Sequence, residues 1–164
     1  MLSLCRKIAF MDRAMRNGIW ISGMLTTEVI GKTVGIICFG NIGKRLAELL
    51  TGFHCNILVY DVVKDPASTN IYNFDKVDLT NTDAWEEKVK YVDLYYLIPE
   101  SDIISLHLPC NEHTRGMVDK NFLRKMKKSA FLINTSRGTG NLRRESCSEV
   151  LSHYMQPEFG YARV

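Results

Sequence analysis

Apolar residues follow two different spacings along the chain. At Leu4, Ile8, Met11 and Met15 they recur every three or four positions, which predicts a helix over residues 3–17, with Gly18 placed to end it. Thr33–Cys38 (TVGIIC) is a short unbroken apolar run, the mark of a buried strand. Ile42, Leu46, Leu49 and Leu50 return to one helical face, so Asn41–Thr51 reads as a helix stopped by Gly52. Cys55–Tyr60 (CNILVY) is a second strand. Residues 62–84 are polar, hold Pro66, and read as a loop with irregular pieces. Beyond them the pattern predicts a short strand at Val89–Val92, a helical turn at Asp93–Ile98 and a strand at Asp102–His107 closed by Pro109. A short helix at Asp119–Met126, a strand at Ser129–Asn134 and a last helix at Glu145–Tyr154 follow.

These strands lack the polar-out alternation of a half-exposed sheet, and they alternate with helices. That combination implies an α/β fold, a parallel sheet covered by helices on both faces. Ligands in such sheets sit at the carboxyl ends of strands. Gly40, Asp61, Pro109 and Arg137 each follow a predicted strand.

Composition narrows the function classes. The 164 residues are 46% hydrophobic and 24% charged, ordinary values for one folded domain rather than a disordered chain. No apolar run approaches the ~20 residues of a bilayer crossing, and no secretory leader is expected. Net charge is only +3, and the densest basic group, Arg124, Lys125, Lys127 and Lys128, reads as a solvated helix end rather than a nucleic-acid patch. Five scattered cysteines without a CxxC pair argue against a disulfide framework or a zinc site and fit reduced thiols in the cytoplasm.

The most informative stretch is Cys38-Phe39-Gly40-Asn41-Ile42-Gly43, between the first strand and the next helix. It is one residue short of G-x-G-x-x-G, with Cys38 in the first glycine position. A helix N-terminus offers backbone N–H groups and a favourable dipole to a pyrophosphate. Gly40 lets phosphates approach the main chain, and Gly43 lets the helix pack close to the strand. Asp61 ends the next strand at about the 20-residue spacing expected of a ribose-binding acid. A carboxylate there accepts from ribose hydroxyls and repels a 2′-phosphate, which favours NAD over NADP.

Three stretches resemble the NAD-dependent D-isomer-specific 2-hydroxyacid dehydrogenases. They are Arg16-Asn17-Gly18-Ile19-Trp20, Gly31–Asp61 (GKTVGIICFGNIGKRLAELLTGFHCNILVYD) and Ser101–Gly138 (SDIISLHLPCNEHTRGMVDKNFLRKMKKSAFLINTSRG). The resemblance implies a Rossmann-type sheet, incomplete relative to the family, and hydride transfer between NAD and a 2-hydroxy or 2-keto acid. It implies that Asn41 and Ile42 cradle the pyrophosphate and that Pro109 and Thr114 line the cofactor cleft. Thr135 and Ser136 would border the nicotinamide, and Arg137 would grip the substrate carboxylate, a task its planar fork suits. It also implies a homodimer built on the lead-in segment.

The resemblance divides the chain into an NAD-binding domain at 1–138, whose first 20 residues are a lead-in helix and linker, and a divergent tail at 139–164. The family's substrate domain and its catalytic Glu and His find no counterpart here. His107 and His113 belong to the second signature, His54 precedes a strand, and His153 sits in the tail. The expectation is therefore a coenzyme-binding domain inactive alone. Two other readings stay open: an NAD-responsive binding or scaffold module, as in the family's corepressor branch, and a truncated product without function.

Overall fold

A computed structural model describes residues 1–62, 89–109, 111–136 and 162–163. The elements are α1 (Leu2–Cys5), α2 (Ile8–Arg16), β1 (Thr33–Ile37), α3 (Asn41–Thr51), β2 (Asn56–Tyr60), β3 (Val89–Tyr91), α4 (Leu94–Glu100), β4 (Ile103–Leu106), α5 (Lys120–Lys125), β5 (Phe131–Asn134) and β6 (Ala162–Arg163). The strands form one sheet in the order β3-β2-β1-β4-β5-β6. Every ladder is parallel. This is the doubly wound arrangement, with the order reversing between β1 and β4.

Successive residues of a strand point to opposite faces, and here both faces are covered. Ile37, Ile104 and Leu106 pack with Leu97 and Ile98 of α4 and Phe122 and Leu123 of α5. Ile36, Ile57, Val59 and Ile103 pack on the other side with Ala47 and Leu50 of α3 and with Cys5. Burial on both faces is why the strands read as unbroken apolar runs. Close packing reaches its limit at Gly35 in β1. A Cβ there would stand 2.4 Å from Ser101 Oγ and 2.5 Å from Leu97 Cδ2.

The lead-in region departs from the single helix its spacing predicts. It breaks after Cys5, and Lys7 takes a left-handed φ of 52° before α2 begins. The Cys5 carbonyl accepts from the Thr27 N–H at 3.1 Å, a tertiary bond in place of a helical one, and Cys5 itself is fully buried. Gly18, at φ 72°, follows α2 as expected of a helix-ending glycine. Two residues near the C-terminal end of the sequence extend the sheet, with Ala162 opposite Ile133 and Arg163 opposite Asn134. The predicted helix at Glu145–Tyr154, and residues 63–84 of the predicted loop, lie outside the described residues.

The basic group in and after α5 has structural work to do. Lys125 lies 4.5 Å from the Tyr95 ring centroid. Lys127 donates to the Glu100 carbonyl at 2.7 Å and to Asp102 Oδ1 at 2.9 Å, while Asp102 Oδ2 accepts from the Thr33 N–H at 2.9 Å. Asp102 thereby clamps the start of β1 beside the start of β4. Burial acts to raise the Asp102 carboxyl, but the Thr33 N–H and the Lys127 ammonium outweigh it and hold the pKa below 3.8. A depressed carboxylate pKa stabilises the fold above the unfolded value and stops doing so as pH falls through the folded one. Melting temperature should therefore drop on acidification through and below pH 3.8, and D102N should show a shallower drop. Parallel melting curves for the two proteins would remove Asp102 from the acid response.

Candidate functional site

Register fixes where the site lies. Ile37 of β1 stands opposite Tyr60 of β2 and Leu106 of β4, and Leu106 stands opposite Asn134 of β5. The four strands end in one row, so the segments that follow them emerge side by side. Those segments carry Cys38–Gly43, Asp61, His107–Pro109 and Thr135–Ser136. Residues far apart in sequence are thus gathered at one sheet edge by strand length alone.

Gly40 is the N-cap residue of α3, and no side chain caps that helix. Its first N–H groups lack intrahelical acceptors and face outward with the positive end of the helix dipole. A Cβ built on Gly40 would meet nothing within 4 Å, so there is room for a ligand to reach the backbone. Gly43 is the opposite case. A Cβ there would lie 2.4 Å from the Cys38 carbonyl oxygen and 3.2 Å from Ile36 Cγ2, so only glycine allows α3 to seat against the loop. Asn41 and Ile42 occupy the first turn and are exposed, Ile42 by 68%.

Asp61 turns toward this loop. Its Oδ2 accepts from the Phe39 N–H at 2.6 Å. The Cys38 N–H donates to the Tyr60 carbonyl at 2.8 Å, extending the β1–β2 contact by one residue. Cys38 has a φ of 74°, the left-handed conformation that the first glycine of the motif normally supplies. A residue with a Cβ adopts it at a cost of roughly 1–2 kcal/mol. Burial raises the Cys38 thiol pKa, the Gly40 N–H opposes the rise, and the neighbouring Asp61 carboxylate adds to it. Phe39 is buried and meets the Tyr91 ring edge-on at 5.6 Å, which pins the loop from behind.

The segment after β4 is knitted by Thr114. This residue is buried, its hydroxyl donates to the Pro109 carbonyl at 2.5 Å, and it accepts from the Asn111 N–H at 3.0 Å. Asn111 Oδ1 in turn accepts from the His113 and Thr114 N–H groups, each at 3.0 Å. Pro109 is exposed at the edge, and Thr114 braces it from within the turn. Burial lowers the His107 pKa and favours its neutral form, and His107 Nε2 lies 3.0 Å from Ser105 Oγ.

After β5, Thr135 is exposed. The Ser136 N–H and hydroxyl donate to Asn134 Oδ1 at 3.0 and 2.6 Å. Asn134, Phe39 and Cys38 are parts of the site that sequence reasoning did not assign. Only for Cys38 was there a signal, its glycine position. Arg137 lies outside the described residues. A groove of about 790 Å³ on the face of the sheet covered by α4 and α5 is walled by Tyr60, Leu94, Met117 and Phe122.

Comparison with known proteins agrees with this geometry. Residues 1–142 match the model of the D-isomer specific 2-hydroxyacid dehydrogenase, NAD binding domain. The chain belongs to this family. It is 36% identical over 143 residues to a glyoxylate reductase of Korarchaeum cryptofilum, covering 84% of this chain and 39% of that protein. It is 37% identical over 139 residues to a hydroxypyruvate reductase of Thermotoga maritima, covering 84% of this chain and 40% of that protein. Among solved structures, Salmonella D-lactate dehydrogenase superposes with a TM-score of 0.75 at 28% identity, covering 94% of this chain and 42% of that one. The NAD-complexed D-isomer specific 2-hydroxyacid dehydrogenase of Lactobacillus delbrueckii gives 0.72 at 29%, covering 93% and 42%. The chain thus spans about two fifths of the length of these relatives.

The cofactor of this domain family is NAD, and the residues present fit it. A helix N-terminus without a side-chain cap, open space at Gly40 and a carboxylate at the end of β2 supply donors for a diphosphate and an acceptor for a ribose.

Proposed function

We propose that residues 1–138 are the coenzyme-binding domain of a dehydrogenase that moves hydride between NAD and a small 2-hydroxy or 2-keto acid. The observation that carries this is the shared edge, where the Gly40–Gly43 turn and Asp61 lie next to each other. NAD supplies the hydride acceptor of the reaction. The backbone N–H groups of Asn41 and Ile42 hold the pyrophosphate, and Asp61 accepts from the adenosine ribose and repels a 2′-phosphate. Pro109, Thr114, Thr135 and Ser136 shape the cleft toward the nicotinamide. Arg137 pairs both oxygens of the substrate carboxylate and polarises the carbonyl as charge develops.

A proton must also move at the alcohol oxygen. None of the described histidines is assigned that task, and for these 164 residues taken alone the proposal is NAD binding without turnover. The site of action is the cytoplasm. Among the described residues, no helix is long and apolar enough to cross a membrane. The lead-in segment leaves Ile8, Met15 and Trp20 53%, 55% and 78% exposed, which supports pairing of two copies through it.

Calorimetry on the chain should detect NADH binding and much weaker NADPH binding. No oxidation of NADH should follow with glyoxylate, hydroxypyruvate or pyruvate. Absence of NADH binding would overturn the assignment. Turnover at ordinary enzyme rates would overturn the proposal of binding without turnover. An affinity that depends on protein concentration would favour the regulatory reading over the enzymatic one.

A further inference from the structure

His107 stands at the point where the strand order reverses. Ile37 of β1 and Leu106 of β4 are the last paired residues of their ladder, and the His107 N–H donates to the Ile37 carbonyl at 3.0 Å. Carried one residue further, the register sets His107 between Cys38, which opens the phosphate turn, and Thr135, which follows β5. The alternation of β4 fixes its face. Ile104 and Leu106 pack toward α4 and α5 while Ile103 packs toward α3, so Ser105 and His107 lie on the α3 side. The start of α3 is on that side too. Ser105 is the register partner of Ile36, and Ile36 Cγ2 is what a Cβ on Gly43 would meet at 3.2 Å.

The ring is held by one bond. Ser105 is buried, its Oγ lies 3.0 Å from His107 Nε2, and among the described residues neither side chain has another hydrogen-bond partner. A buried hydroxyl needs an acceptor for its proton. Nε2 is the acceptor in reach, so Ser105 donates to it and the proton of the neutral imidazole sits on Nδ1. Burial keeps the ring neutral. His107 thus brings an N–H donor, with no partner among the described residues, to the junction between the phosphate turn and Thr135.

We propose that His107 is a coenzyme-binding residue, its Nδ1–H donating to a phosphate or ribose oxygen in the nicotinamide half of the dinucleotide, and that Ser105 is the positioning residue that sets its tautomer. The inference rests on the reading of the Gly40–Gly43 turn as the pyrophosphate site. A dinucleotide that is held at that turn and reaches Thr135 has to pass His107, which the register places between them. A neutral donor serves both redox forms, whereas a cation there would repel the positive ring of the oxidised coenzyme.

Titration calorimetry of the full 164-residue chain with NADH, ADP-ribose and AMP, beside thermal melts, tests this. Two substitutions split the imidazole into its halves. H107Q puts an amide near the Nε2 place, where it can still meet Ser105, but has no donor near Nδ1. H107N keeps an amide donor near the Nδ1 place and does not reach Ser105. H107Q should melt like wild type and bind NADH and ADP-ribose about three- to tenfold more weakly, the range of one net hydrogen bond. Its affinity for AMP, which lacks the nicotinamide half, should hold steady. H107N should melt lower than H107Q and bind NADH more tightly than it. S105A should weaken NADH binding in the wild-type background and add nothing in H107Q, because the donor it orients is already gone.

Equal NADH affinity in H107Q and wild type would overturn the proposal. Equal losses for AMP and NADH would do the same, since they would mean a distorted turn rather than a missing donor. An H107N as weak as H107Q would remove the Nδ1 contact. If wild type binds NADH and H107Q binds it equally, His107 fails while the coenzyme reading stands. If wild type binds no NADH, the coenzyme reading fails and this inference fails with it.

Discussion

D61A is expected to weaken NADH binding by roughly 1–3 kcal/mol, about five- to 150-fold. Two losses add. The ribose hydroxyls would lose their charged acceptor, and the Phe39 N–H would lose its 2.6 Å partner, loosening the loop that carries Gly40. D61N separates them, because its amide oxygen can still accept from Phe39 while the charge is gone. D61N should keep the melting temperature of wild type and lose discrimination against NADPH, since nothing negative would face the 2′-phosphate. Calorimetry with both coenzymes, beside thermal melts, checks this. Unchanged NADH affinity in both variants would move the ribose elsewhere.

The second large effect separates two glycines three residues apart. G43A should cost about 1–3 kcal/mol of stability, because the new Cβ meets backbone, the Cys38 carbonyl oxygen, at 2.4 Å. Backbone cannot swing aside as a side-chain tip does, so α3 must lift from the loop, and NADH binding weakens with it. G40A has no such neighbour within 4 Å and an ordinary φ of −72°. Its stability should stay within about 1 kcal/mol of wild type, the scale of an N-cap change. Its NADH affinity should nonetheless fall, because the methyl group occupies the room left for phosphate. Urea melts paired with NADH titrations would show one variant losing stability and the other losing ligand. The same profile for both would mean that the space at Gly40 is not used by the coenzyme.

How far the sequence revealed this depended on the range of the forces involved. Asn41–Thr51 appeared in the pattern with its observed bounds, because an amphipathic face and a terminal glycine are local signals. The strands appeared within one or two residues at each end for the same reason. The break at Arg6–Lys7 did not, because Leu4 and Ile8 keep a helical spacing across it. What ends the helix there is a carbonyl taken by Thr27, more than 20 residues away. β6 was invisible because two residues carry no periodicity. In the site, Gly40, Gly43 and Asp61 were legible because the motif depends on spacing. Asn134's hold on Ser136 and the Phe39 contact with Asp61 were not, since nothing in one sequence says which side chain turns inward. Pro109, Thr114, Thr135, Ser136 and Arg137 came from family resemblance rather than from spacing.

The all-parallel pairing has a consequence for the life of the chain before it is folded. Among the described strands no two neighbours can zip up as a hairpin, and Val34 must wait for Ile103 to be synthesised before their ladder exists. A nascent chain therefore has no β1–β4 ladder until Ile103–Leu106 have left the ribosome. A dinucleotide that binds the folded sheet and not the unfolded chain would add about 2.7 kcal/mol of stability at a hundredfold excess over its dissociation constant.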